Sequence, residues 1–230
     1  MKIAIIPARG GSKRVKKKNI KLFEGIPAIG RVITILSKSK IFDIIIVSTD
    51  SSEIMKIAKK YKAEVPFRRP KNISGDHSST HAVIKHCIKW LENKRIHPEY
   101  ICCVYPTAFF IEHKDLEEGY KKIKKNKCKF VFAGSKDKVS TWKSFTNDKN
   151  KTKVIFPKYE MLRTQETKDT YHDSGQFYWA KTQTWMTSKS IFSSRCEIVT
   201  IPKIKDHDID TIEDWKFAEQ TWKNLKKNNV

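Results

Sequence analysis

Long apolar runs are missing from this chain. No window approaches the about 18 consecutive apolar residues that a membrane-spanning helix needs, and no membrane partner is expected. The first apolar run, Ile3–Pro7, is too short for a signal-peptide core and leads into Arg9 and Lys13. No secretion signal is read there, and a cytoplasmic location is expected. Glycine and proline are scarce, 8 of each in 230 residues, which excludes collagen-like and low-complexity chains. Cysteines are few and odd in number (Cys87, Cys102, Cys103, Cys128 and Cys196), with no Cys-x-x-Cys pair. Reduced, buried thiols are expected rather than zinc or disulfides. Arginine is scarce as well. The net charge of +22 rests on 39 Lys against 8 Arg, spread along the whole chain. A nucleic-acid interface would favour arginine for bidentate grip of phosphate and guanine. The lysine excess reads instead as A-rich coding, with attraction for anionic small molecules such as nucleotides, and no nucleic-acid partner is expected.

What is present is strand–helix alternation. Lys2–Pro7, Ile44–Thr49 and Tyr100–Tyr105 are continuous apolar runs that read as buried strands. Between them, Ile29, Val32, Ile33 and Leu36, then Ile54, Ile57, Ala58 and Tyr61, then Val83, Ile84, Cys87, Ile88 and Leu91 recur at helical spacing. Ser51 or Ser52 is the expected cap of the second helix. Glu64–Phe67 reads as a short strand, Asp115–Lys125 as a helix and Phe130–Ala133 as a strand. The pattern predicts a single α/β domain over 1–230, with a mostly parallel sheet covered by helices on both faces. Residues 136–160 lack helical periodicity and predict a hairpin or arm leaving the sheet. Gln176–Ala180 and Cys196–Ile201 predict returning strands. Trp215, Ala218, Trp222 and Leu225 mark a closing helix, and the Lys/Asn tail after it is expected to fray.

Two clusters carry chemistry. The first follows the first strand: Arg9-Gly10-Gly11-Ser12-Lys13-Arg14, then Lys18-Asn19. In open α/β sheets ligands bind at the carboxyl ends of strands. Here two glycines allow close backbone approach, the basic side chains supply charge and Ser12 a hydroxyl, a set that suits a polyphosphate. It is neither a Walker loop nor Gly-x-Gly-x-x-Gly; the competing reading is a solvated lysine-rich loop. The second cluster is Asp206-His207-Asp208-Ile209-Asp210. If extended, the three aspartates share one face. Converging carboxylates fit a cation, and Mg²⁺ takes one or two carboxylates plus phosphate oxygens. The competing reading makes Asp210 the cap of the last helix, in a capping box with Glu213. The seven histidines show no metal-ligand spacing.

The two clusters belong to an ordered series: Ile6-Pro7-Ala8-Arg9-Gly10-Gly11-Ser12-Lys13 with Lys18-Asn19, Val47-Ser48-Thr49-Asp50, Arg69-Pro70, Pro106-Thr107 and Asp208-Ile209-Asp210-Thr211. This series resembles the CMP-sialic acid synthetase family of cytidylyltransferases, over residues 1 to about 215. Arg163-Thr164-Gln165 followed by Tyr171-His172-Asp173-Ser174-Gly175-Gln176-Phe177-Tyr178-Trp179 is most similar to the pseudaminic acid subgroup. Ser174-Gly175 replaces the usual Asn-Gly of the sialic acid enzymes, and Tyr105-Pro106-Thr107-Ala108 their Gln-Pro-Thr-Ser.

The resemblance implies a Rossmann-like nucleotide-diphospho-sugar transferase fold, with a small β-rich dimerisation arm at about 136–165 and a homodimer. It implies transfer of CMP from CTP to a nine-carbon α-keto acid sugar, releasing pyrophosphate, for cell-surface or flagellar glycosylation. Ala8, Arg9, Gly10, Gly11, Ser12, Lys13 and Lys18 would serve the triphosphate, Asn19 the cytosine, and Arg69 and Thr80 the nucleotide. Tyr105, Arg163, Gln165, His172, Ser174, Gly175 and Gln176 would face the sugar. Asp208 and Asp210 would hold Mg²⁺; with Arg9 and Lys18 they form the expected catalytic set. Sialic, legionaminic and ketodeoxyoctonic acids are the competing substrates; a basic nucleic-acid-binding module or an inactive CTP-binding scaffold are the readings outside this chemistry.

Overall fold

The computed structural model describes residues 1–125 and 127–227. Its centre is a six-stranded sheet built from β1 (Lys2–Pro7), β4 (Ile44–Ser48), β5 (Tyr100–Val104), β6 (Phe130–Lys136), β9 (Tyr171–Lys181) and β10 (Cys196–Thr200). The strand order is β10-β6-β9-β5-β1-β4. Five strands share one direction, and β9 runs against both of its neighbours. The mostly parallel sheet agrees with the continuous apolar runs of the sequence.

Alternation along the strands divides the core. Ala4 and Ile6 of β1 face one side, with α1 (Ala28–Ser39), α2 (Ser52–Lys60) and α4 (His113–Lys125) packed over them. Ile3 and Ile5 face the other side, under α3 (Thr80–Asn93) and α5 (Thr182–Thr187). The period of two in a strand and the apolar stripe of each helix thus meet on both faces. A third cluster joins the closing helix α6 (Ile212–Lys227) to the first loop and to the segment after β5, through Phe23, Phe109, Phe110, Ile209 and Trp215. Its Phe23 belongs to the short strand β2 (Leu22–Phe23), which pairs with β3 (Ile26–Pro27). Among the described residues no helix is long and apolar enough to cross a membrane.

Local signals explain the boundaries. Ser51 Oγ accepts from Ile54 N and opens α2; Ser79 Oγ accepts from Ala82 N and opens α3. The expected strand Glu64–Phe67 is reduced to two isolated bridges, Ile46 with Glu64 and Thr49 with Arg68. Pro66 has no N–H to continue that ladder. The cap of α6 also differs from the sequence reading. Asp214 Oδ2 accepts from Asp210 N (3.0 Å) and Thr211 N (2.7 Å), and Thr211 Oγ1 accepts from Asp214 N (3.2 Å). The box is therefore Thr211 with Asp214, which leaves the Asp210 side chain uncommitted to the helix. α6 runs through Lys227; the last three residues of the tail expected to fray, 228–230, lie outside the described residues.

The segment expected to leave the sheet does so. β7 (Phe145–Asp148) and β8 (Lys151–Val154) form an exposed hairpin, turned by Lys149 and Asn150 at φ of 45° and 63°. Trp142 anchors its base, donating Nε1–H to Lys168 O (2.8 Å) and packing on Phe156 and Tyr159.

Candidate active site

A cavity of about 390 Å³ opens at the carboxyl ends of β1 and β5. Both sequence clusters reach it. From the first come Arg9, Ser12, Lys13, Arg14, Lys18 and Asn19; from the second, Asp208 and Asp210. Arg69, Thr80 and Tyr105 complete the predicted residues that line it. Lys17 in the left-handed conformation (φ 53°) starts the short 3-10 turn Lys18–Ile20 that swings Lys18 and Asn19 inward.

The cationic groups of the cavity are paired. Asp76 accepts hydrogen bonds from Arg9 Nη1 and, at 2.7 Å, from Lys13 Nζ; the Lys13 hydrogen bond in particular holds its carboxyl below the usual range. Arg14 donates to Asp210 through both terminal guanidinium nitrogens, Nη2 at 2.8 Å and Nη1 at 3.0 Å. Lys18 donates to Ile209 O and stands 3.9 Å from Asp210 Oδ1. Burial pushes the Lys18 ammonium below its ordinary value, against the pull of Asp210 and Asp208. Arg69, only 4% exposed, is set by Ser74 Oγ (3.3 Å) and lies 3.9 Å from Asp50. Asn19 Nδ2 donates to Arg9 O (2.8 Å), which ties the turn to the loop before it.

Of the two glycines of the first loop, Gly10 serves close packing. A Cβ on Gly10 would come within 2.9 Å of Ser51 Cβ, and the Gly10 N–H is taken by Asp50 Oδ1 (2.9 Å). Gly11 is exposed. Ala8 is fully buried in the core and donates its N–H to Ser48 O, so its side chain supports the loop from beneath.

Asp206, Asp208 and Asp210 do not share a single destination. Asp208 and Asp210 line the cavity, whereas Asp206 turns to His172 and Lys203, each at 2.7 Å. Ile209 and His207 point the opposite way, as alternation requires; Ile209 is fully buried and His207 stacks on Phe110. Burial raises the Asp208 carboxyl above its ordinary value, and the like charge of Asp210 adds to it. Such a pair is relieved by a cation. Among the described residues no group of three or more His, Cys, Asp or Glu side chains could hold a metal alone. Two carboxylates completed by phosphate oxygens are the donor set that fits, and Mg²⁺ accepts it.

The residues expected at the sugar are divided. Tyr105 lines the cavity and its hydroxyl meets Thr80 Oγ1 at 2.9 Å. Arg163 and Gln165 are exposed on the arm, outside the cavity lining. Ser174 is buried and donates to Ala133 O; Gln176 is buried and donates Nε2–H to Lys205 O (3.0 Å). Gly175, at φ 62°, lies against the Asp208 carboxylate: a Cβ there would stand 3.3 Å from Asp208 Cγ. His172, Ser174 and Gln176 thus act on the segments that frame the cavity rather than lining it.

Sequence reasoning missed Asp76, and it named Arg14 and Asp50 within motifs without giving either a role. Asp76 sits in Gly75-Asp76-His77-Ser78, which carries only a turn signal, and Arg14 is one cation among many. Their partners lie 40 to 196 residues away in sequence, beyond any local pattern.

Comparison with known proteins agrees with this geometry. The sequence profile of the family described as cytidylyltransferase matches residues 3–229. The chain is 36% identical over 222 residues to a pseudaminic acid cytidylyltransferase of Campylobacter jejuni, covering 96% of each. It is 30% identical to an N-acylneuraminate cytidylyltransferase B of Danio rerio, covering 94% of this chain and 50% of that protein. The fold is shared with a CMP:2-keto-3-deoxy-manno-octonic acid synthetase solved with CTP, at a TM-score of 0.72 and 12% identity, covering 100% of this chain and 99% of the other. A paired-acid cavity at the strand ends, on this sheet and with this full-length similarity, places the chain in the cytidylyltransferase family.

Proposed function

We propose that the chain transfers CMP from CTP to pseudaminic acid, giving CMP-pseudaminic acid and pyrophosphate, for cell-surface or flagellar glycosylation. The observation that carries this reading is the single cavity shared by the Arg9–Asn19 turn and the Asp208–Asp210 pair. The choice of sugar is supported by 36% identity to a pseudaminic acid enzyme over 96% of both chains, where the acylneuraminate enzyme of Danio rerio is 30% identical and matched over 50% of its length.

Phosphoryl-type transfer needs positioning and charge neutralisation more than covalent help from the protein. Arg9, Lys13 and Lys18 would exchange their carboxylate and carbonyl partners for the triphosphate. Asn19 would keep its amide on Arg9 O and offer its carbonyl to the cytosine. Arg69 and Thr80 would fix the nucleotide against the floor of the cavity and Tyr105 would face the sugar, so that the anomeric hydroxyl of the sugar meets the α-phosphorus in line with the leaving pyrophosphate. Asp208 and Asp210 would hold Mg²⁺, which would supply positive charge against the negative charge gathering on pyrophosphate. The arm exposes Val139, Phe145, Ile155 and Met161, which supports pairing of two copies through it. A cytoplasmic location belongs to the same proposal, as CTP is an intracellular substrate.

The test is pyrophosphate release from CTP, Mg²⁺ and pseudaminic acid, with EDTA as control and N-acetylneuraminic, legionaminic and ketodeoxyoctonic acids in parallel. Pseudaminic acid should give the highest kcat/KM. A higher value with another acid overturns the sugar assignment; no release with any acid overturns the activity. Asp210→Asn should lower turnover roughly 10²-fold or more, as loss of a transition-state electrostatic contact does, with little change in melting temperature.

A further inference from the structure

His172 stands on β9 with both ring nitrogens engaged by carboxylates. Nδ1 meets Asp137 Oδ1, and Nε2 meets Asp206 Oδ2 at 2.7 Å. An ionised carboxylate only accepts hydrogen bonds, so with both acids ionised both nitrogens donate to them; Lys203 Nζ stands 3.3 Å from the same Nε2. With both donors spent, the ring has none left for a sugar hydroxyl.

Its two partners belong to different parts of the fold. Asp137 follows β6 at the point where the chain leaves for the arm. Its backbone N–H donates to Thr170 O (2.9 Å) and its Oδ2 accepts from Thr141 Oγ1 (3.1 Å), so it closes the arm at its base. Asp206 lies two residues before Asp208 and four before Asp210. Its side chain is only 6% exposed and also accepts from Lys203 Nζ (2.7 Å). The segment it opens is further held by Gln176 on Lys205 O, by Glu112 on Lys205 Nζ and by Lys18 on Ile209 O.

We propose that His172 is a positioning residue, whose doubly hydrogen-bonded ring fastens the segment carrying Asp208 and Asp210 to the base of the arm and so couples the arm to the metal-binding acids. This rests on the reading of Asp208 and Asp210 as the Mg²⁺ ligands. It assigns His172 a place outside the sugar contacts. Movement at the arm base then reaches the acids through one ring, across Asp137, His172 and Asp206.

The test compares wild type with His172→Ala and with Asp137→Ala, which removes the acceptor for Nδ1 and keeps the proposal open to failure if the first variant does not fold. Hydrogen exchange of the peptide covering 203–211 is measured on the free protein, which needs no substrate or activity. Both variants should exchange there about tenfold faster, since a local anchor has been removed. The Mg²⁺ concentration for half-maximal pyrophosphate release should rise about tenfold, in the range of lost outer-shell support, while KM for CTP stays within about twofold. Unchanged exchange at 203–211, or a lower melting temperature with an unchanged Mg²⁺ midpoint, overturns the proposal. A rise in KM for the sugar acid alone also overturns it and returns His172 to the sugar. If wild type releases no pyrophosphate with any acid, the functional reading fails, and the exchange measurement still decides whether His172 holds the segment.

Discussion

Arg14 and Asp210 form a two-pronged ion pair, 2.8 and 3.0 Å across, between the loop after β1 and the residue just before the Thr211 cap of α6. The acid proposed to bind the metal is therefore already held by a cation. Both side chains are largely in solvent, 69% and 43% exposed, and exposed pairs contribute about 0.2–1 kcal/mol. A metal ion and Arg14 compete for the same oxygens. Arg14→Gln should lower the Mg²⁺ concentration for half-maximal turnover by up to about fivefold. A Mg²⁺ titration of pyrophosphate release checks this, and a raised midpoint would show that Arg14 assists the metal.

Asp76 occupies Arg9 and Lys13, the two cations of the first loop proposed for the triphosphate. A triphosphate must displace it. Asp76→Asn should lower KM for CTP several-fold, with the effect shrinking as salt is added, because these groups are screened. Steady-state kinetics at two ionic strengths read this out; weaker CTP binding in the variant would make Asp76 part of the binding set instead.

Gly175→Ala tests the contact with Asp208. Alanine at φ 62° pays the left-handed penalty, about 1–2 kcal/mol, and its Cβ enters the 3.3 Å space against Asp208 Cγ. The melting temperature should fall by roughly 2–8 °C. Turnover should fall as well, because Asp208 must shift. A thermal melt with full residual kcat would show that the acid tolerates the displacement.

The His172 link gives a pH signature in stability. Burial alone would lower the ring's pKa, but the hydrogen bonds to Asp137 and Asp206 outweigh it and carry the group above its ordinary 6.5. Asp173 and Asp206 face it as acids and Lys203 as a base. A group raised on folding stabilises fully below its unfolded pKa and loses that contribution as pH rises through the folded value. Wild type should therefore exceed His172→Gln in stability most below about pH 6, and the gap should close above 6.5 toward the raised value. Urea melts from pH 5 to 8.5 measure it; a gap that widens with pH would remove the imidazolium.

Much of this was legible in the residues. Lys2–Pro7 spans β1 as read, the stripes of α1 and α3 bury the residues their spacing selects, and α2 buries Ile54 and Ala58 while Ile57 and Tyr61 are only partly covered. The approach of Arg9 and Lys18 to Asp208 and Asp210 followed from motif order. The place of β9 did not. Phe177–Ala180 is apolar enough to announce burial, but nothing in four buried residues states direction or neighbour, and β9 enters antiparallel between β5 and β6. Asp206 separated from its fellows because His172, 34 residues earlier, claims it. Glu213 lost the cap to Asp214 by a single position, a distinction set by backbone geometry and not by residue type.

The central position of β9 also has a consequence for biosynthesis. β5 is wholly buried in the finished sheet, yet the strand that covers one of its edges is translated some 70 residues later. At ribosomal rates of about 5–20 residues per second, that edge stays open for several seconds, while β6 has no strand to join to the rest. An open row of backbone donors beside Ile101, Cys102, Cys103 and Val104 invites pairing with other nascent chains. Arrival of Tyr171–Lys181, which pairs with both β5 and β6, joins the two halves into one sheet.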